Sequence, residues 1–408
     1  MNTSSLQPSS PQWSMTSLAN NDPFPSYDEL RKRGPVVWDP GMQCWLILSY
    51  DLCSMIESDE AAYRIVPADL PDWMIDIRGG KSGLSTLVGE KHARMRRIYM
   101  TLFSPKQIAT YRDRYVIPIL NYNIEQFAHA GRAELFSQLC EVTPIRVIMA
   151  LCGLPWKDDD FVSRLLTASG DVVAWTGMGH PNNNELIQKA RAAADEASRM
   201  ILPYVLERQD GHGDDFVSQM WVRAAKDYGD VGPDDMLAVA KEFIAAGAHT
   251  TVHALANAIY LFLSDPALRE AVTKDQNMKL NSLIEEALRT LGSPQWRFRK
   301  ANREVSHGGA TIKKDDLICL LHAAANRDPE HYACPHMIDL ERKRPNDHLA
   351  FNVGPRTCVG MPLARLELRE CLKTLVHRFP NLRLDPSMEP PHFRGFTHRS
   401  FAPLHVLF

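Results

Sequence analysis

The sequence lacks a long apolar run, and this absence excludes a membrane-spanning helix. Such a helix needs about 18–20 consecutive apolar residues. The most apolar stretch, residues 243–263, is interrupted by polar side chains, namely His249, Thr250, Thr251, His253 and Asn257. The first 22 residues lack the basic and apolar segments of a secretory signal. We therefore expect a soluble, cytoplasmic protein that does not bind a membrane.

The sequence also has no excess of basic residues and no paired cysteine motif. The formal net charge is −3, which gives no reason to expect a nucleic-acid partner. None of the eight cysteines forms a CxxC pair, so a structural zinc site is not expected. Without a secretory signal the cysteines should be reduced, and most should be buried as small apolar side chains.

No internal repeat and no Pro/Gly/Ser-rich linker divides the chain after its N-terminal segment. We therefore predict a flexible tail over residues 1–22 and a single domain over residues 23–408. Apolar residues at helical spacing predict helices over Lys91–Leu102, Gln107–Ala128, Glu185–Glu207, Pro233–Leu263, Pro266–Thr273, Met278–Thr290 and Pro362–Arg378. Short alternating segments predict strands at Val36–Trp38, Cys44–Leu48, Ala310–Ile312 and Leu317–Leu321. The predicted fold class is mainly α with small β-sheets.

The longest predicted helix begins with a clear start signal. Pro233 in the first turn is followed by Asp234 and Asp235, which favour the positive end of the helix dipole. The helix would run about 30 residues, to Ser264, well beyond the usual 8–20. Because it is apolar on most sides, we expect it to cross the middle of the domain.

The strongest chemical signal surrounds Cys358. The segment contains Phe351, Gly354, Arg356, Cys358 and Gly360, and it directly precedes a predicted helix. A cysteine at a helix N-terminus lies among free backbone N–H groups, which favour its thiolate form. The glycines permit a tight backbone path close to a flat cofactor, and the arginine can reach an anionic edge of that cofactor. A lone cysteine here would be interpreted as structural, but the surrounding pattern favours a metal ligand.

This segment resembles the haem-ligand loop of the cytochrome P-450 family, the haem-thiolate monooxygenases. Glu286 and Arg289 match the family's Glu-x-x-Arg motif, and the segment Ala325–Pro329 matches a stretch common in bacterial members. Together with Arg342, the pair would form the family's ion-pair network beneath the haem. The resemblance covers about residues 23–408, and it implies the family fold, with haem b between the long central helix and the loop and helix that carry Cys358.

The resemblance also implies which residues hold the haem. Cys358 would be the iron ligand, with Phe351 and Gly360 beside it. His92 and Arg96, four residues apart on one helix face, would hold a haem propionate. Outside the family context we would interpret them as part of a solvated basic stripe. Further propionate-binding residues would be Arg299 and Arg356.

In the long helix, residues 246–251 resemble the family's Ala-Gly-x-(Asp/Glu)-Thr motif, in which the threonine and the acid serve oxygen activation. Thr250 matches the threonine, but His249 replaces the acid. Histidine titrates near neutral pH and can also relay protons. The alternative is that His249 makes a structural hydrogen bond to a neighbouring helix, and the sequence leaves both readings open.

Family position suggests substrate contacts, most of them apolar as in a pocket for a small or medium-sized apolar molecule. The candidates are Trp73, Met74, Ile75, Val172, Trp175, Met178, Ile244, Ala245, Ala248, Gln295, Trp296, Phe298, Phe396 and Phe401. Several of these residues will simply be part of the core.

The leading functional prediction is a monooxygenase that hydroxylates or oxidatively demethylates an apolar organic substrate. No flavin or iron–sulfur domain is appended, so electrons would come from NAD(P)H through a separate reductase and a ferredoxin or flavodoxin. The partner would dock near basic residues such as Arg94, Arg97 and Lys106. The alternatives are a peroxide-driven or otherwise atypical haem-thiolate enzyme, for which His249 would be tolerable, and a non-catalytic haem sensor.

Overall fold

A computed structural model describes Met15 and residues 22–178, 183–229, 231–275 and 277–408. Its α-helices are α1 (Phe24–Arg31), α2 (Tyr50–Ser58), α3 (Asp72–Ile77), α4 (Gly89–Leu102), α5 (Pro105–Tyr111), α6 (Ile117–Glu125), α7 (Val142–Leu151), α8 (Asp159–Met178), α9 (Asn184–Glu207), α10 (Phe216–Asp227), α11 (Pro233–Ser264), α12 (Pro266–Lys274), α13 (Met278–Leu291), α14 (His322–Ala325) and α15 (Met361–Arg378). Short π-helical segments lie at Arg112–Val116 and Phe136–Cys140, and 3-10 segments at Val66–Asp69, Leu349–Phe351 and Gly354–Arg356.

The β-strands are few and short, which confirms the predicted class of a mainly α fold with small sheets. They are β1 (Val36–Asp39), β2 (Cys44–Ile47), β3 (Tyr63–Ile65), β4 (Arg132–Glu134), β5 (Arg297–Ala301), β6 (Val305–His307), β7 (Ala310–Ile312), β8 (Leu317–Leu320), β9 (Arg383–Leu384), β10 (His392–Gly395), β11 (Arg399–Ala402) and β12 (His405–Leu407). The largest sheet has the order β1-β2-β8-β5-β3, with β2 and β8 parallel and the other pairs antiparallel. The strands β10 and β11 form a hairpin.

The central helix α11 has the bounds that its start signal predicted. Pro233 occupies its first turn, and the Asp235 carboxylate accepts a hydrogen bond from the Gly232 N–H at 2.9 Å. This capping interaction satisfies a backbone donor that the helix itself cannot. The helix packs against α7, α8, α9, α10, α13 and α15. It therefore crosses the middle of the helical part of the protein.

The apolar side chains form a main core among the helices and two smaller cores on the faces of the five-stranded sheet. One of these, which we call the second core, contains Tyr27, Leu30, Leu46, Leu291 and Trp296. Met15 is also buried there, and its N–H donates to Asp39 at 2.8 Å. The rest of the predicted tail, apart from Asp22, lies outside the described residues, and the proposed boundary at residue 22 stays a prediction.

Among the described residues, no helix combines the length and the apolar character that a membrane crossing requires.

Candidate active site

The loop before α15 places Cys358 by a tight backbone path. The Cys358 N–H donates to the Phe351 carbonyl at 2.8 Å. Between them, Asn352 and Gly354 have φ values of 57° and 68°. A Cβ on Gly354 would lie 2.9 Å from the Cα of Ser58 in α2. Only glycine fits both this positive φ and this close approach, so the loop holds the cysteine at the head of α15.

The Cys358 sulfur faces a cleft inside the protein. The residue is accessible to water, yet protein atoms surround it closely enough that burial raises the pKa of its thiol. The N–H groups of Gly360 and Met361 and the charges of Arg297 and Arg96 lower that pKa. The sequence correctly predicted the helix N-terminus as a source of N–H groups, but burial outweighs their effect. A metal ion deprotonates a thiol that coordinates it.

The central helix borders the same cleft. Ala246 is exposed although it lies halfway along α11, and Thr250, one turn later, is half-buried. The charge of Arg297 acts on both the Cys358 thiol and His398. The His398 ring lies 5.8 Å from the ring of His253 on α11. The cleft therefore extends from the Cys358 loop to the face of α11 that carries Ala246 and Thr250.

Basic side chains surround the cleft, and most of them have no hydrogen-bond partner among the described residues. In the described parts of the chain, nothing accepts a hydrogen bond from the side chains of His92, Arg96 or Arg297. Burial and the charge of Arg356 lower the pKa of His92 to about 4, so its ring is neutral at pH 7. Arg356 itself donates to Glu60 at 2.5 Å and to the Leu87 carbonyl at 2.8 Å.

Arg299, the propionate-binding arginine predicted on β5, lies beside a buried carboxylate. Its guanidinium is 3.9 Å from the buried Glu57 carboxylate and donates to the Phe298 carbonyl. Arg297 lies two residues earlier on the same face of β5; the charge of Glu57 acts on it too, but no described carboxylate lies at ion-pair distance, and it lowers the pKa of the Cys358 thiol. Both arginines are therefore candidates for a haem propionate, and the assignment of Arg299 stays a prediction.

These residues fit the haem that the resemblance implies. A thiol ligand opens into the cleft, and small side chains of α11 leave room opposite it. The unpaired Arg96 and Arg297 supply the positive charge that two buried propionates need. Cys358 would hold the iron, and the basic residues would hold the propionates.

The structure brings the three residues of the predicted ion-pair network together. Arg289 donates to both oxygens of Glu286 at 2.8 Å, and Arg342 donates to Glu286 at 2.8 Å. The remaining donors of Arg289 bind the carbonyls of Asn326, Pro335 and Met337. Because both Glu286 and Arg289 are fully buried, every donor and charge in this network needs its partner.

A second carboxylate on α13, which the sequence analysis missed, ties this helix to the Cys358 loop. Glu285 accepts two hydrogen bonds from Arg365 of α15, both at 2.7 Å, and one from His348 at 3.0 Å. The Arg365 guanidinium lies 4.9 Å from the centre of the Phe351 ring. Burial opposes ionisation of Glu285, but these hydrogen bonds lower its pKa overall. In the sequence, the position of Glu285 next to Glu286 could have identified it.

A third missed residue, Glu57 of α2, supports the loop from the other side. Its carboxylate accepts a hydrogen bond from the Val353 N–H at 2.9 Å and lies 3.0 Å from His322. Burial opposes its ionisation, yet the charge and hydrogen bond of His322, with Arg299, lower the pKa of Glu57. Nothing in the local sequence distinguishes this glutamate, because its partners are more than 200 residues away.

On α11, Thr250 and His249 make different contacts. The Thr250 hydroxyl donates to the Ala246 carbonyl at 2.9 Å, within a helix that runs without interruption. The His249 Nε2 lies 2.8 Å from the Ser169 hydroxyl of α8. Since Ser169 gives its one proton to the Leu165 carbonyl, His249 must be the donor in this pair. Burial lowers the pKa of His249 to about 4, so its ring is neutral at pH 7 and not near its ordinary titration range.

Some of the expected substrate contacts gather where α3, α8 and α9 meet. The rings of Trp73 and Trp175 lie 6.5 Å apart, and the Arg191 guanidinium lies 4.5 Å from the Trp73 ring. The other expected contacts in this region with described side chains are buried, namely Met74, Ile75 and Val172. The side chain of Met178 lies outside what the structure describes.

Other expected substrate contacts pack elsewhere. Ile244 and Ala248 are buried on the face of α11 opposite Ala246, so only Ala245 of the three lies beside the cleft. Trp296, just before β5, and Phe298 are the two neighbours of Arg297 in the chain, so their side chains point to the opposite face from that of Arg297. Both pack in the second core. The remaining residues of the set pack with them or in the core nearby. Gln295 is fully buried. The Phe396 ring centre lies 4.8 Å from that of Trp296, and the Phe401 ring is stacked on Tyr260.

Comparison with known proteins identifies the family of the chain. The family model described as Cytochrome P450 matches residues 178–401, more than half of the chain. Among characterised proteins, the chain is 30% identical over 382 residues to cytochrome P450 monooxygenase PikC of Streptomyces venezuelae, covering 90% of this chain and 86% of that protein. It is 28% identical over 376 residues to 6-deoxyerythronolide B hydroxylase of Saccharopolyspora erythraea, covering 89% and 90%.

Solved structures show the same fold. The epothilone B-bound cytochrome P450epoK superposes with a TM-score of 0.83 at 25% identity, covering 95% of this chain and 96% of that one. P450BioI in complex with an acyl carrier protein superposes with a TM-score of 0.84 at 23% identity, covering 95% and 98%. With a family model over more than half of its length and a relative 30% identical over 90% of it, the chain belongs to the cytochrome P450 family and is a monooxygenase.

Proposed function

We propose that this monooxygenase binds haem b, with Cys358 as the iron ligand and Arg297, Arg96, His92 and Arg356 around the propionates. The observation that carries the proposal is the exposure of Cys358 beside Arg297 and Arg96, whose charges act on its thiol and whose side chains have no hydrogen-bond partner among the described residues. The haem, when bound, supplies the oxygen-splitting chemistry. Arg299, whose guanidinium lies 3.9 Å from Glu57, remains a further candidate for a propionate.

The residues of this chain position the substrate and the proton. Ala246 leaves space on α11, and the Thr250 hydroxyl beside it, which donates to the Ala246 carbonyl, can accept a hydrogen bond from a group in the cleft or donate to that group once the bond to Ala246 is broken. We propose that His249 acts mainly as a tether to Ser169 of α8, since its ring is neutral and hydrogen-bonded there. The reaction is the insertion of one oxygen atom into an apolar organic molecule, by hydroxylation or oxidative demethylation.

Electrons would come from a separate ferredoxin or flavodoxin and its NAD(P)H reductase, which also suits a cytoplasmic location, where NAD(P)H is supplied. We propose that this partner docks beside α4, where Arg97 and Lys106 are exposed and where Arg94 pairs only with the exposed Glu90. Reversing the charges of Arg97 and Lys106 should raise the Michaelis constant for an acidic ferredoxin and flatten its salt dependence. If the Michaelis constant and its salt dependence both stay unchanged, the partner does not dock on this face.

The proposed function is tested by comparing two routes to product. Substrate-dependent NADPH consumption with surrogate ferredoxin and reductase should yield product in proportion to the NADPH used. Hydrogen peroxide alone should support slower turnover. Faster turnover with peroxide than with the partners would instead favour a peroxide-driven enzyme, and haem binding without turnover by either route would favour a sensor.

A further inference from the structure

Arg78 lies in a loop that is pressed against the central helix. Its N–H donates to the Met74 carbonyl at 3.2 Å and closes α3. The next two residues, Gly79 and Gly80, have φ values of 126° and 124°. A Cβ on Gly80 would lie 2.8 Å from the Ala238 Cβ of α11. The loop therefore packs so closely on α11 that a larger residue does not fit at Gly80, and Arg78 lies beside this helix.

The Arg78 side chain is a buried cation without a direct partner. It is only partly accessible, and within the described ranges no group accepts its hydrogen bonds or pairs with it at ion-pair distance. The charged groups that face it are Glu242 of α11 and Arg297 of β5. Burial lowers the pKa of Arg78 to about 10, Glu242 opposes this shift and Arg297 adds to it, so the guanidinium remains charged at neutral pH.

Glu242 is a weak counter-charge for this arginine. One of its carboxylate oxygens accepts a hydrogen bond from the Ser85 N–H at 2.7 Å, and the other is buried without a partner. Burial raises the pKa of Glu242, although the hydrogen bonds from Ser85 oppose the shift. The carboxyl group is therefore directed to the loop at Ser85, and Arg78 retains unmet hydrogen-bonding capacity.

The far wall of the cleft adds no negative charge. The turn between β10 and β11 is fixed by hydrogen bonds from the Gln295 N–H to the Thr397 carbonyl, 2.8 Å, and from the Thr397 hydroxyl to the Gly177 carbonyl, 2.7 Å. It presents His398, whose titratable neighbours are His253, Arg297 and His249. Burial lowers the pKa of His398 well below its usual value, so its ring is neutral.

Helix geometry gives the distance from the neighbourhood of Arg78 to Thr250. Glu242, Ala246 and Thr250 lie on one face of α11, successive turns apart. The distance along the axis from Glu242 to Thr250 is about 12 Å. A ligand that reaches from Arg78 to Thr250 thus spans a distance of this order, past the apolar side chain of Ala246.

We propose that Arg78 is a specificity-determining residue that binds the carboxylate of the substrate, so that the substrate is an apolar acid oxidised about 12 Å from its charged end. This proposal rests on the proposed function, because the reacting end must lie at the haem. A guanidinium binds a carboxylate through two parallel hydrogen bonds, which would satisfy the donors that the protein leaves unpaired.

The test uses probes that bind iron whatever the natural substrate is. A series of ω-(imidazol-1-yl)alkanoic acids, with about four to about ten methylene groups to cover the span, is titrated into the haem-loaded protein and followed by the shift of the haem absorption band. Each acid is compared with its amide of equal length. At one chain length, we expect the acid to bind at least about tenfold more tightly than the amide.

Variants assign this preference to Arg78. Arg78→Gln should reduce the acid-to-amide ratio to about one while leaving the affinity of the amide unchanged. Lys81→Gln, a matched control that removes an exposed charge already paired with Asp72, should retain the preference. Glu242→Gln should increase it, because a competing carboxylate is removed.

The proposal is overturned if acid and amide bind equally at every length, or if Arg78→Gln keeps the preference. It is also overturned if Arg78→Gln speeds haem loss without changing the ratio, because Arg78 would then serve a propionate. Failure of the proposed function looks different: imidazole itself would cause no haem-ligand shift in the wild-type protein.

Discussion

Two arginines two residues apart on β5 have different tasks, and single substitutions should separate them. Arg297→Gln removes a charge that no described carboxylate meets at ion-pair distance, although Glu57 acts on it from further away, so haem should transfer to apomyoglobin about tenfold faster or more. Arg299→Gln removes the partner of the buried Glu57. It should lower the free energy of unfolding with a smaller effect on the haem transfer rate. Faster haem transfer from Arg299→Gln than from Arg297→Gln would show that Arg299 binds the propionate.

Thr250 and His249 are adjacent but should differ in what their loss does to electron use. Thr250→Ala removes the hydroxyl beside Ala246 and should divert electrons to hydrogen peroxide, so that product formed per NADPH falls several-fold. His249→Ala and Ser169→Ala each break the same 2.8 Å contact. Both should cost about 1–3 kcal/mol of unfolding free energy and leave product per NADPH unchanged across pH 6–8.

This outcome depends on the neutral state of His249, whose pKa burial lowers to about 4. The sequence motif left proton relay and structural tethering equally open, because the position of α8 relative to α11 is a tertiary feature. A pH-dependent fall in product per NADPH that is found in His249→Ala and not in Ser169→Ala would instead show that His249 relays protons.

At the scale of elements, the α13 carboxylates connect the haem-ligand loop to the rest of the fold. Glu286→Ala would leave Arg289 buried without its counter-charge, at a cost of about 3–5 kcal/mol. We expect poorly folded protein with a low haem content, measured as haem absorbance per protein chain. Glu90→Ala, which breaks an exposed pair with Arg94, is the control and should retain full haem content. Full haem content in soluble Glu286→Ala protein would contradict the account.

Helices with a one-sided apolar pattern or a proline start could be predicted from the sequence, and α4, α9, α11, α13 and α15 all lie within a few residues of their predicted bounds. The helix α7 was missed because residues 143–151 are all buried, so its sequence has no polar face to reveal the helical period. The predicted helix over residues 107–128 is interrupted at Arg112–Val116 by a π-helical segment, which periodicity does not predict.

In the site too, residues with partners nearby in the sequence could be predicted, and residues with distant partners could not. Cys358, Gly354 and the Glu286–Arg289 pair were identified because their partners lie within a few residues or in a recognisable motif. Glu57 was not identified, because it acts through Val353 and His322. Its role exists only once α2 and the Cys358 loop are folded together.

At the scale of the whole molecule, buried neutral histidines should make the protein sensitive to acid. Burial lowers the pKa of His249 and of His253 to about 4, whereas an unfolded histidine titrates near pH 6.5. Between these values the unfolded state binds more protons, so stability falls as the pH is lowered from about 6.5 to about 4 and is unaffected above this window. Each residue should contribute roughly 2–3 kcal/mol to this loss.

Urea unfolding followed by circular dichroism at pH 5 and pH 7.5 measures the effect. His253→Gln should reduce the difference in unfolding free energy between the two pH values. His129→Gln, at a side chain that is 90% exposed, should leave that difference as in the wild type. Equal pH dependence in all three proteins would show that the buried ring is not responsible.

The central claim is that Cys358 ligates the haem iron, and the absorption spectrum of the reduced, carbon monoxide-bound holoprotein tests it most directly. The wild-type protein should show the red-shifted band of a thiolate ligand, and Cys358→Ser should lose it. Cys334→Ser, at an exposed cysteine, and Cys371→Ser, at a buried one on α15, should keep it. A Cys358→Ser protein that binds haem and retains the wild-type band would contradict the assignment.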